Sequence, residues 1–281
     1  MLISIVRLAM QGPLQALLLS SLFFISDITS WISLSLVTLL VMRKGFQSAA
    51  LICLALLGLQ LLPGIGLRFI DAMVLLTLLI AGQTLRATMR LDVALLLVAV
   101  VACVVLALTH FYAAHVFAPF AEAFVQTKRL FPELAKVLTE DNDTYVLRSV
   151  GSWVVIKASL ILLLARYWQS VLYHPQGFVR EFLALRMSLL LAGVWLLMLV
   201  LVQMAPQPLN ALSSALRVPF LLAGIAICYW SFQRFAIKLP WRVLFSMTLL
   251  VIHPLVVLVG ALDSVSNFRY RFAAKPPESQ A

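Results

Sequence analysis

The sequence is short of charge, and the few charges it has are mostly of one sign. Only 11% of the 281 residues are charged, with 11 Asp+Glu against 21 Lys+Arg. A typical soluble domain is about 25% charged and about 45–50% apolar. This chain is 63% hydrophobic. A water-soluble fold of that composition would lack the polar groups to cover itself, so lipid is the expected solvent. Cysteine is scarce as well. Cys53, Cys103 and Cys228 each lie in an apolar run, with no CxxC spacing. They read as small buried hydrophobes rather than as a disulfide framework.

Catalytic signatures are missing too. There is no HExxH, no GxSxG and no Walker A loop, which removes zinc-protease, serine-hydrolase and P-loop ATPase chemistry. Gly64-Ile65-Gly66 is followed by Leu67, so a GxGD aspartyl-protease pattern fails. His110 and His115 lie five apart and do not share a helical face. No catalytic residue, metal site or cofactor is expected, and any energy input must come from an ion gradient or a partner. No small-residue cleavage site follows Arg7 and the apolar run from Pro13, so no cleavable signal peptide is expected.

What the sequence does have is long apolar runs. A bilayer core of about 30 Å needs about 20 apolar residues in a helix. Helices close their own backbone hydrogen bonds there, and the runs show none of the alternation of a membrane β-barrel. The runs predict spans at 4–24, 28–42, 47–63, 69–84, 92–117, 149–170, 187–204, 212–231 and 243–262. Turns are expected at Ser26-Asp27-Ile28-Thr29, at Pro63-Gly64-Ile65-Gly66 and at His174-Pro175-Gln176-Gly177. Residues 119–148 form the one substantial polar connection. Pro132 and Glu133 fit a helix start there, and Phe131, Leu134 and Leu138 recur at helical spacing, as in an amphipathic surface helix. A short amphipathic helix around Phe178, Phe182 and Leu185 is expected to run into the span at 187–204.

The net charge of +10 sits in the breaks between runs. Arg7, Arg43-Lys44, Arg86/Arg90, Arg180/Arg186 and Arg234/Lys238/Arg242 fall on one side of a nine-span count. That pattern matches anionic lipid headgroups and topology control, and no soluble domain is present to carry a nucleic-acid surface. The same count leaves Arg269, Arg271 and Lys275 on the opposite side, against the positive-inside rule. Eight spans, within a range of seven to nine, reconcile the two. The expected fold is all-α: one transmembrane helical bundle over 1–265 and a polar tail over 266–281.

Ionisable groups at bilayer depth are costly and point to function. Lys157, in Gly151-Ser152-Trp153-Val154-Val155-Ile156-Lys157-Ala158, is the leading candidate, as an anion-binding or counter-ion group facing the bundle interior. A snorkelling lysine or a structural ion pair is the alternative. Asp27 is its candidate partner, or else a helix cap at the interface. His253-Pro254 lies within the ninth run, where proline kinks a helix and histidine can line a polar cavity. Asp71 and Asp92 sit at span ends and read as solvated.

Three stretches carry a resemblance. The first is Leu36 through Gly45. The second is Ala165-Arg166-Tyr167-Trp168-Gln169, continuing through Pro175-Gln176-Gly177-Phe178 to Glu181-Phe182 and Leu185-Arg186. The third is Gly260-Ala261-Leu262-Asp263 with Asn267-Phe268-Arg269. With Gly224-Ile225-Ala226 between them, they resemble the YybS-like family of bacterial membrane proteins. The chain departs from that pattern at Gln176, where a glycine is expected, and at Ser266-Asn267, where an acidic residue is expected. The resemblance implies a multi-pass protein of the bacterial inner membrane, similar in fold to the substrate-binding components of energy-coupling-factor transporters. It assigns no role to Gly177, Phe178, Glu181, Arg186, Asp263 or Arg269. The expected activity is binding or transport of a small molecule, with membrane lipids and an energising or cytoplasmic protein as partners. A non-transporting scaffold is the alternative.

Overall fold

A computed structural model describes residues 2–61, 68–131, 141–173, 175 and 177–273. It is helical throughout these residues. The helices are α1 (Leu2–Gln11), α2 (Pro13–Phe24), α3 (Ser30–Lys44), α4 (Phe46–Leu59), α5 (Phe69–Thr88), α6 (Leu91–Tyr112), α7 (Ala118–Leu130) and α8 (Asn142–Tyr173). They continue as α9 (Gly177–Leu183), α10 (Leu189–Gln203), α11 (Ser213–Leu216), α12 (Val218–Arg234), α13 (Leu239–Val251), α14 (His253–Ser266) and α15 (Phe268–Ala273).

Four helical stretches are long and apolar enough to cross a membrane: Phe69–Thr88, Leu91–Tyr112, Asn142–Tyr173 and Leu209–Arg234. Leu239–Thr248 with His253–Ser266 makes a fifth if a pair bent by 104° is one span. This fits a membrane protein, with four to five candidate spans among the described residues. The expected spans that fall short do so for local reasons. The run 4–24 breaks at Gly12, whose φ of −160° and ψ of 164° are extended. Pro13 forces that conformation on the residue before it. The run 243–262 breaks at Ile252, and Pro254 takes the first turn of α14, where its missing N–H costs nothing. The helix from Gly177 ends at Leu183 and does not run into α10. The Pro63–Gly66 turn, the helix start at Pro132-Glu133 and the repeats at Leu134 and Leu138 lie outside the described residues, as do His174 and Gln176 of the expected turn.

By contact the chain groups into two compact units. The first comprises Met1–Phe178 with Val202–Leu216, and the second Val179–Leu201 with Arg217–Ala281. In the first unit α3 is the central helix. It packs on α2, α4, α5 and α8, and every residue from Ser33 to Met42 is buried. Its hydroxyls are accommodated within this apolar packing. Ser35 donates to the Trp31 carbonyl and Thr38 to the Leu34 carbonyl, and Ser33 donates to the carbonyl of Ser20. Gly82 of α5 brings its backbone close to Val41 of α3. In the second unit the main packing is α12 against α14. There Gly224 and Gly260 lie so close to the opposite backbone that a Cβ on either would collide with a carbonyl oxygen, of Val256 or of Phe220 respectively. Small residues permit such close helix crossings.

Candidate functional site

Lys157 lies near the midpoint of the 32-residue helix α8. Four residues earlier on the same face, Trp153 meets Trp31 of α3, edge to face with ring centroids 6.1 Å apart. That contact turns the 153/157 face of α8 toward α3. The Lys157 ammonium lies 5.6 Å from the Trp31 ring centroid, a cation–π distance. Its ion partner is Asp71: Nζ donates to Oδ1 of Asp71. Both are buried, with side-chain exposures of 8% and 4%.

Asp71 sits in the first turn of α5, where the helix dipole favours a carboxylate. Its other oxygen faces Arg68, 3.9 Å from Nη1. Arg68 is held on several sides. Its guanidinium donates to the carbonyls of Phe24 and Ile25, at the C-terminal end of α2, and its backbone N–H donates to the Gln60 side chain. A cation on helix C-terminal carbonyls is favoured by the dipole. The Nε of Arg68 then pairs with Asp27 at 3.0 Å, and Asp27 is 82% exposed.

The result is a line of alternating charge, Asp27, Arg68, Asp71, Lys157, running from the surface into the helix packing. It is neutral as a whole. It forms where Asp27, between α2 and α3, and the start of α5 meet the middle of α8. The helices that feed it, α2 and α4, have 12 and 14 residues, too few to cross about 30 Å of hydrocarbon.

The direct Asp27–Lys157 pair expected from sequence is not formed. Asp27 reaches Arg68, and Lys157 reaches Asp71. Nor does Asp27 cap a helix through its side chain. Thr29 is the N-cap of α3, without a side-chain cap bond, and Asp27 contributes only its carbonyl, to Ser30. Asp71 is buried rather than solvated. The overlooked residue is Arg68. The sequence signal for it was an Arg68-x-x-Asp71 spacing, which places opposite charges three apart on one face of a helix start. His253 is exposed, in the second unit. Asp92, in the first turn of α6, pairs with Arg90 just before that helix at 2.6 Å, and that hydrogen bond raises the Arg90 pKa.

The second unit carries a different charge cluster, made from the stretches that bear the family resemblance. Asp263 is fully buried near the end of α14, and Arg269 of α15 approaches it at 3.2 Å. This approach is not aligned as a hydrogen bond, and both Asp263 oxygens lack one. Arg269 uses its Nη1 and Nη2 instead, donating to the carbonyls of Leu183 and Leu185 in the break between α9 and α10. Burial pulls the Arg269 pKa down; Asp263 opposes that shift and Arg186 adds to it. Glu181 and Arg186 are half-buried. In the first unit, Phe178 rests edge to face on Tyr167, with centroids 5.8 Å apart. The N–H of Phe178, one residue after Gly177 opens α9, donates to the Ser170 hydroxyl at 3.0 Å.

Among the described residues, no three of His, Cys, Asp and Glu gather as metal ligands. No family model matches the chain, and no curated protein or solved structure matches it either.

Proposed function

We propose that this chain is a membrane-embedded component that binds or passes a small anionic solute, with Lys157 as the cation the solute meets. The observation that carries this reading is the position of Asp71 between two cations, Lys157 and Arg68. A carboxylate or phosphate on the solute displaces Asp71 from Lys157. Asp71 stays neutralised, because Arg68 is already beside it. The solute then pairs with Lys157 and Asp71 with Arg68, and the surplus negative charge falls on Asp27, which is 82% exposed, so no ion is left unpaired in a low-dielectric interior. Intramembrane charge pairs of this kind mark solute and ion pathways in general.

The family reading belongs here as well. An eight-span protein of the bacterial inner membrane, YybS-like and similar in fold to energy-coupling-factor substrate-binding components, is consistent with such a role. It also accounts for the lack of an ATPase motif, because energy would come from a partner. Eight spans require the short helices α2, α3, α4 and α10 to cross where the bilayer thins locally.

The test is mass spectrometry of small molecules that copurify with the intact protein. We expect a bound anion in the wild type. The charge-neutral double variant Asp71→Asn/Lys157→Met, checked for folding by its thermal melt, should lose it. Equal ligand content in wild type and double variant removes Lys157 from the site. The second reading is a non-transporting scaffold, favoured by the mutual neutralisation of the four charges, which leaves no charge for a ligand to satisfy. A stable copurifying protein without any small molecule would support it.

A further inference from the structure

A separate group of residues in the first unit forms a pocket of about 230 Å³ lined by Arg7, Met10, Gln11, Leu172 and Tyr173. The C-terminal ends of α1 and α8 build it. Sixteen residues separate Tyr173 from Lys157 on α8, roughly 24 Å of helix, so this pocket is distinct from the charge line described above.

Its polar lining is all donor-capable. Arg7 supplies a guanidinium, Gln11 an amide and Tyr173 a phenol, and no carboxylate lines it. A second cation reinforces it. The Arg43 guanidinium is stacked over the Tyr173 ring, 3.8 Å from the centroid. Among the described residues neither Arg7 nor Arg43 forms an ion pair. One cation thus lines the recess and a second stacks on its Tyr173 wall, with no internal counter-ion among the described residues.

The remaining lining is apolar, from Met10 and Leu172. Three residues past Gln11, an exposed row begins on α2: Leu14, Leu18 and Leu22, each about two-thirds exposed. Their four-residue spacing puts them on one face of the helix. A cationic recess at the end of α1, followed directly in the chain by such a row, suits an amphiphile, with its charge in the recess and its chain along the leucines. Free inorganic phosphate would use only the first half of that surface.

We infer that the Arg7–Tyr173–Arg43 pocket binds the phosphate of an anionic phospholipid headgroup. Basic recesses between membrane helices take such headgroups by the same electrostatics. Arg7 and Arg43 also fall on the same side in the sequence topology, the side where basic residues meet anionic lipid. This inference does not depend on Lys157 or on the solute reading.

The experiment is native mass spectrometry of the full chain in mild detergent. It is titrated separately with phosphatidylglycerol, with phosphatidylcholine, and with inorganic phosphate as competitor. We expect saturable retention of phosphatidylglycerol, at least about fivefold above phosphatidylcholine. Arg7→Gln and Arg43→Gln should each lower that retention roughly fivefold. Both side chains are exposed, so the variants should fold, and an unchanged thermal melt checks this. Arg90→Gln, an exposed arginine paired with Asp92, should leave retention unchanged. Tyr173→Ala should lower it as well, by removing the platform under Arg43. Equal retention of the two lipids would overturn the inference. So would wild-type retention of phosphatidylglycerol by the Arg7→Gln/Arg43→Gln double variant. Full displacement by millimolar inorganic phosphate would overturn the lipid assignment in favour of a soluble phosphate ligand.

Discussion

The two units bury a carboxylate in opposite ways. In the first, Asp71 has a cation on each side, and the line continues through Arg68 to the exposed Asp27. Charge is balanced by other side chains, and the far end is open to solvent. In the second, Asp263 faces one guanidinium that is committed to two backbone carbonyls, at Leu183 and Leu185. That guanidinium works chiefly as a clamp on a break in the helix. The first arrangement can rearrange without stranding a charge, because its partners are interchangeable. The second cannot, because releasing Arg269 uncaps the chain at 183–185. A site that exchanges ions needs the first design, and a joint that holds two segments together needs the second.

The largest expected effect comes from removing one cation. Arg269→Leu leaves Asp263 buried without the one cation that faces it among the described residues, and breaking a buried pair this way costs about 3–5 kcal/mol. Lys157→Met should cost less, about 1–3 kcal/mol, because Arg68 remains beside Asp71. Thermal unfolding in detergent measures both. A loss well under 1 kcal/mol for Lys157→Met would mean that water reaches Asp71, and the buried pair would have to be abandoned.

The double variants then separate the two designs. Asp71→Asn/Lys157→Met removes both charges, and most of the stability should return, as it does when a buried ion pair is replaced as a unit. Asp263→Asn/Arg269→Leu should recover less, by about 1–3 kcal/mol, because the Leu183 and Leu185 carbonyls lose their donor in either case. Equal recovery in both units would erase the distinction between line and clamp.

Glycine substitutions sharpen the contrast at the level of packing. In the first unit, a Cβ on Gly82 would lie 3.3 Å from a Val41 methyl, a side chain that can give way. In the second, a Cβ on Gly224 or Gly260 meets backbone carbonyls that cannot. Gly224→Ala should therefore cost about 1–3 kcal/mol by forcing the two helices apart, and Gly82→Ala less than that. Melting temperatures of the two variants in one detergent decide the order.

Much of this was legible in the sequence, and the failures share a cause. The helical class follows directly from apolar runs that leave backbone groups no other way to be satisfied. Lys157 stood out because a lone charge in such a run is anomalous. The sequence expects more spans than the helices supply by length and composition alone, because hydropathy averages over breaks. Gly12-Pro13 and Ile252-His253-Pro254 interrupt runs whose mean hydropathy stays high. Asp71 was misread because position at the start of a span does not report depth. It is buried because α5 packs on α8 and sets Asp71 against Lys157, and that is a property of packing. In the sequence Asp263 and Arg269 are motif residues without a role, and the clamp between them does not show. Its logic depends on the 183–185 break, which an uninterrupted helix would have hidden.

The smallest effect tests how the charge line ends. Asp27 is 82% exposed, and its partner Arg68 is already bonded to Phe24 and Ile25. An exposed pair is worth about 0–1 kcal/mol, so Asp27→Asn should barely move the thermal melt. It should move ligand behaviour more. Without Asp27, Arg68 is freer to draw Asp71 toward itself, which weakens the hold of Asp71 on Lys157. If the solute competes with Asp71, its affinity for the Asp27→Asn protein should rise, by a few-fold at most, while stability stays level. Higher affinity at unchanged stability separates an exchanging line from a static one, since a purely structural network has no reason to bind anything better when its outermost charge is removed.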